Sequence, residues 1–176
     1  TMHIHEETYH WNSPLKTRGA TRAVILHHAA ADGASAQDIH RQHQNNGWSG
    51  IGYHYYVRKT GEVFRGRPEH AVGTHAAGRN GDTIGVCFEG NFQHDTMPPA
   101  QFAAGAALLA NILTRCPGLP LLRHRDVCQT ACPGQHFPFE ALKEEAEMTQ
   151  ERFNEMAGRW LESLGKLLPS DWSAEA

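Results

Sequence analysis

The sequence predicts an α/β domain: a mixed central β-sheet of about five strands flanked by helices, with an additional C-terminal helix. Three observations carry this. Short β-branched and apolar runs alternate with longer helical patterns along residues 22–123, which suggests a sheet with helices packed on it. A Lys-Thr-Gly-Glu turn at 59–62 sits between two such runs, so at least one strand pair is antiparallel. Beyond residue 139 the apolar residues recur at three- and four-residue spacing, the period of a helix.

Residues 1–20 are polar and carry Pro14 and Gly19, and they read as an irregular arm. The run 22–28, RAVILHH, has the length and composition of a buried strand. Ser35 caps a helix over 36–46 that Gly47 ends. A second strand is expected over 51–58 (IGYHYYVR) and a third over 63–65, joined by the hairpin turn. A glycine-rich loop leads to a fourth strand at 83–88 (TIGVCF). An Ala- and Leu-rich helix spans 99–115 and stops at Cys116-Pro117-Gly118. A short fifth strand at 121–123 delivers His124. The helical pattern over 139–168 aligns Phe153, Met156, Ala157, Trp160, Leu161, Leu164 and Leu168, a stripe expected to be buried on the body or against a second chain. The division that follows is an arm at 1–20, a main domain at 21–148 and a helical extension at 149–176.

The chain has 176 residues, 40% of them hydrophobic and 20% charged, an ordinary globular balance. Its formal charge of −3 is uneven. Residues 140–176 hold nine acidic and four basic side chains, which leaves the remainder at +2. No basic footprint for nucleic acid results. No run approaches the roughly 20 apolar residues of a membrane span. The N-terminal residues lack the apolar core of a signal peptide. The expectation is synthesis in the cytoplasm, unless an export signal lies outside these residues.

Candidate chemistry begins with His124 and Cys132. They lie on a connector directly after a strand, and an imidazole and a thiolate are good zinc ligands. A strand ending in His27-His28 turns one imidazole to each face, so one of them is available as a third ligand. Three ligands and an open position describe a catalytic zinc. Cys128 as a fourth would instead close a structural site.

The segments VILHHAA, NNGWSGIGYHYYV, AVGTHAAGRNGDTIGVCFEGNF and LLRHRDVCQTACPG resemble the type 2 N-acetylmuramoyl-L-alanine amidases, which include phage lysozyme-like enzymes and animal peptidoglycan recognition proteins. The resemblance runs in order from about residue 24 to about residue 142. It implies His27, His124 and Cys132 as ligands of Zn2+, and Tyr53 beside the metal with its hydroxyl toward the reacting amide. It implies His75 and Asn80 as substrate-binding residues of the groove. Thr130 stands where some members have a lysine, and Cys87 where recycling-type members have a glutamate, with Glu89 further along. Thr130 is therefore the candidate to orient water or the intermediate. The implied activity is hydrolysis of the amide between N-acetylmuramic acid and L-alanine, in peptidoglycan or muropeptides, acting on the cell wall. A non-catalytic peptidoglycan-binding module is the alternative, and Cys132, which such modules typically replace, argues against it. A homodimer through the C-terminal helix is a further expectation.

Overall fold

The computed structural model describes residues 2–167. Its elements are β1 (Ile4–His5), β2 (Ala23–His28), α1 (Ala36–Asn45), β3 (Tyr55–Val57), β4 (Val63–Arg65), β5 (Thr83–Phe88), α2 (Pro99–Arg115), β6 (Leu121–Arg123) and α3 (Phe139–Leu167). The strands form one mixed sheet in the order β1-β4-β3-β5-β2-β6. Only the β3–β4 hairpin is antiparallel, and the β2–β5, β2–β6, β3–β5 and β1–β4 pairs are all parallel.

The central strands β2 and β5 are buried almost throughout, as their unbroken apolar runs require when both sheet faces are covered. Val24, Leu26, Ile84, Val86 and Phe88 pack against Leu108, Leu109, Ile112 and Leu113 of α2 and Leu142 and Ala146 of α3. On the other face Tyr56 and Cys87 pack with Ala36 and Ile39 of α1. Three layers result, with α1 alone on one side. Ser35 closes a reciprocal capping box with Asp38, which satisfies the first free N–H groups of α1.

Two expectations about the elements are corrected. The arm is not irregular throughout, because Ile4–His5 pairs with Val63 and Phe64 and adds a sixth strand. The strand expected over 51–58 shrinks to Tyr55–Val57. The Ile51 and Gly52 N–H groups donate instead to Nδ1 of His40 (3.1 Å) and Nδ1 of His43 (2.9 Å). A Cβ at Gly52 would stand 2.0 Å from the Thr74 carbonyl oxygen, so the chain there is pressed against the glycine-rich loop and has no room for a ladder partner.

The C-terminal helix departs furthest from expectation. Phe139, Leu142 and Ala146 are buried, but Phe153, Met156, Trp160, Leu161 and Leu164 are 37–62% exposed. The stripe is therefore not buried on the body. The cause is length: α3 has 29 residues and its packing partner α2 has 17. At about 1.5 Å per residue, some 18 Å of α3 has nothing opposite it. Leu168, the last residue of the expected stripe, lies outside the described residues.

Candidate metal centre and cleft

His27 is the last residue but one of β2 and His124 directly follows β6, at the carboxyl ends of adjacent parallel strands, the usual place for a site in such sheets. Since Leu26 pairs with Arg123, the next residue on each strand brings the two imidazoles side by side, with ring centroids 4.5 Å apart. His27 pairs with Cys87 and so shares its sheet face, the face covered by α1. His28 turns to the other face, where its Nδ1 accepts a hydrogen bond from the Phe92 N–H (3.1 Å). A tight 3-10 turn, His124–Asp126, reverses the chain, and the Arg125 N–H donates to the Cys132 carbonyl (3.0 Å). Cys132 thereby returns to the strand ends, its Sγ 3.9 Å from His27 Nδ1.

One donor atom from each of His27, His124 and Cys132 lies within 4.8 Å of the others. Among the described residues no carboxylate joins them, nor does Cys128, whose sulfur contacts the Ala77 carbonyl instead (3.7 Å). Two imidazoles and one thiol suit a borderline-soft divalent ion. Burial holds both histidines below the ordinary imidazole range, so they are neutral and ready to coordinate. Burial also pushes the Cys132 thiol up to about 11, opposed by the His28 N–H and Arg125. A cation at this point would reverse that shift and stabilise the thiolate.

Beside this group opens a cleft of about 430 Å3. Tyr53, His75, Asn80, His124 and Thr130 line it, so all but two of the residues expected to act are drawn to one place. The other two, His27 and Cys132, complete the donor group with His124. The Tyr53 ring lies 5.2 Å from that of His27. Its hydroxyl is held well above the usual tyrosine range, first by burial and then by the sulfurs of Cys87 and Cys132, so it is a protonated donor. Thr130 is exposed, and its Oγ1 accepts the Cys132 N–H (3.2 Å), which leaves its proton free to point outward.

His75 and Asn80 have additional engagements. The Asn80 side-chain oxygen accepts from the N–H groups of His75 (2.7 Å) and Ala76 (2.9 Å) and so shapes the loop. His75 is 8% exposed, and both ring nitrogens have partners inside the protein. Glu89 cannot replace the missing glutamate, because it is bound to Arg58 and to the N–H groups of Gly33 and Lys59. Trp48 and Gln129 also line the cleft and were not singled out from sequence. For Trp48 the signal was available: a large aromatic placed just after a helix-ending glycine, exposed in the structure.

The N-acetylmuramoyl-L-alanine amidase family profile matches residues 17–135. The chain belongs to this family. It is 35% identical over 127 residues to the endolysin of Enterobacteria phage T3, covering 68% of this chain and 84% of that one. The solved amidase LysC from Clostridium intestinale superposes with a TM-score of 0.81 at 41% identity, over 84% of this chain and 99% of that chain. A variant of Drosophila PGRP-LB solved in complex with tracheal cytotoxin superposes with a TM-score of 0.71 at 25% identity, over 78% and 91% of the two chains. The fold expectation therefore holds across phage, bacterial and animal members.

Proposed function

We propose that this amidase-family chain is a zinc-dependent hydrolase that cuts the amide between N-acetylmuramic acid and L-alanine in peptidoglycan or muropeptides. The observation that carries this is the His27–His124–Cys132 group at the side of an open cleft, three ligands rather than a closed four. The donor set fits zinc, and His27, His124 and Cys132 would hold it. In such a site the ion supplies Lewis-acid polarisation of an amide carbonyl and a nucleophile at neutral pH.

The chain's own groups do the rest. Tyr53 keeps its proton because its surroundings disfavour the phenolate, and it donates a hydrogen bond to the oxygen that becomes negative as the amide is attacked. Thr130 presents a hydroxyl on the cleft wall that orients water or the tetrahedral species. Asn80 holds the loop wall against which the substrate lies, and Trp48 offers a flat apolar surface to it. Activity of the named endolysin and amidase relatives supports the reaction class. The tracheal cytotoxin complex of the recognition-protein neighbour supports a muropeptide in the cleft.

The domain division carries over to this reading, with amidase residues 21–148 and an extension at 149–176, amended by the added edge strand Ile4–His5. Synthesis in the cytoplasm and action on the cell wall follows the phage relatives. The exposed stripe on α3 is the surface through which two copies would pair. Its described flanking charges, Glu151, Arg152, Glu155, Arg159 and Glu162, mix both signs, as suits self-association.

Mass spectrometry of products from defined muropeptides, with and without a chelator, tests the reaction. Release of free stem peptide that stops on chelation is the expected result. Binding without release would make the chain a recognition module, and release that chelation leaves unchanged would remove zinc from the reading.

A further inference from the structure

His75 is expected to face substrate, yet its two nitrogens are spent elsewhere. Nδ1 lies 3.0 Å from Nε2 of His27, and Nε2 lies 3.4 Å from Oγ1 of Thr83. The direction of these contacts can be read from the far end. The Thr83 hydroxyl has one proton and donates it to the Arg79 carbonyl (2.6 Å). Toward His75 its oxygen can therefore only accept, so His75 carries a proton on Nε2. Neither ring has an ion pair among the described residues, and a neutral imidazole has one proton. His75 Nδ1 is then a lone pair, and the hydrogen between the two rings belongs to His27 Nε2.

We infer that His75 is a positioning residue that fixes the tautomer and tilt of His27. The chain Arg79 carbonyl, Thr83 hydroxyl, His75, His27 leaves the His27 Nδ1 lone pair directed at Cys132 Sγ, 3.9 Å away. The opposite tautomer would place a proton where coordination is needed.

The seat of His75 is built for this. Gly85 pairs with Ile25 in the sheet, one alternation before His27, and a Cβ at Gly85 would lie 2.6 Å from the His75 ring. A Cβ at Gly73 would lie 2.5 Å from the same ring. The ring thus occupies space left by two missing side chains. The floor is fixed too: His54 Nδ1 accepts the Gly85 N–H (2.9 Å), and its Nε2 donates to the Ala71 carbonyl (2.9 Å). His75 meets His27 edge to face, at 88°.

This role rests on the zinc reading, and its test separates the two. Nitrogen-15 histidine spectra of the full chain without metal report the His27 tautomer directly. The Nε2–H form is expected, and a dominant Nδ1–H form overturns the inference whether or not zinc binds. Zinc affinity is then measured by chelator competition. His75→Phe fills the seat without an acceptor and should weaken zinc about 10- to 100-fold. His75→Asn, which can place its oxygen near the Nδ1 position, should recover most of the loss. A His75→Phe protein that is folded and binds zinc as tightly as the parent refutes the positioning role. A parent chain that binds no zinc refutes the metal reading alone, and the tautomer spectrum still decides the relay. If His75→Phe fails to fold, that spectrum of the parent chain is again decisive.

Discussion

Two clefts of similar size lie on opposite faces of the sheet. The one beside His124 has a volume of about 430 Å3, and the other, between β1, β4 and α2, about 390 Å3. Volume does not distinguish them, but their polar groups do. In the second cleft the Glu69 carboxylate takes two hydrogen bonds from Arg115 (2.7 and 2.9 Å) and one from the Tyr55 hydroxyl, which in turn accepts from Arg65. These charges answer one another. In the first, two imidazoles and a thiol converge beside a buried phenol held well above the usual tyrosine range, and among the described residues no carboxylate joins them. One network closes among its own charges, whereas the other gathers donor atoms at the side of an open cleft.

The sharpest way to break this contrast is at Cys132. Cys132→Ala should lose bound zinc and turnover together while the protein stays folded, since an open site contributes less to folding than a structural one. Metal analysis and a muropeptide assay check it, and metal retained by the variant would sink the ligand assignment. Next comes Tyr53→Phe, which removes one donor and keeps the ring. Turnover should fall roughly 100-fold with zinc content unchanged. An unchanged rate would make Tyr53 a packing residue.

The second cleft should respond in the opposite manner. Glu69→Gln should cost about 1–3 kcal/mol of stability, reduced by the partial exposure of Arg115, and leave turnover as it was. Denaturant melts and kinetics on the same preparation decide, and a large loss of rate would deny that the two clefts have separate roles.

Acid acts on the buried histidines and on Glu69 at different pH. His43 and His54 are lowered to about 4, chiefly by burial. The unfolded chain therefore takes up these protons first, near pH ~6.5. Their stability contribution is complete above that value and is lost as pH falls toward 4. Glu69 is shifted the other way relative to its charge, held low by Arg115 and Tyr55 against its burial. Its contribution is complete above its unfolded value of ~4.3 and is lost below it. The stability gap between the parent and Glu69→Gln should thus be constant from pH 7 to about 5 and close only in stronger acid. A gap that narrows already near pH 6 would contradict this order.

The fold is unevenly legible in the sequence, and the unevenness has a cause. Bounds for β5, α2, β4 and β6 were legible because each run is framed by Pro, Gly or a charged turn and owes its conformation to local pattern. The true start of β3 was hidden, because the Ile51 and Gly52 N–H groups are taken by two histidines on α1 and the chain there is pressed against Thr74. Nothing in the local pattern contains that information. The ligand trio was named on the resemblance, whereas the residues alone left open which of His27 and His28 faced the site. Register puts His27 across from Cys87, on the sheet face that α1 covers, and His28 on the other. For the helix at the C-terminus, the amphipathic period was real but said nothing of whether α2 was long enough to meet it.

The parallel register has a consequence in time. His27 belongs to the first long strand, but its neighbours arrive from residues 83–88 on one side and 121–123 on the other, and the thiol follows at 132. A chain leaving the ribosome from its N-terminus therefore holds most of its sheet before it holds any complete ligand set. The last residue needed emerges only after more than one hundred intervening positions, which puts this closure among the long-range contacts that fold late. On the proposed ligand set, a copy interrupted before residue 132 lacks the thiol and should not cleave.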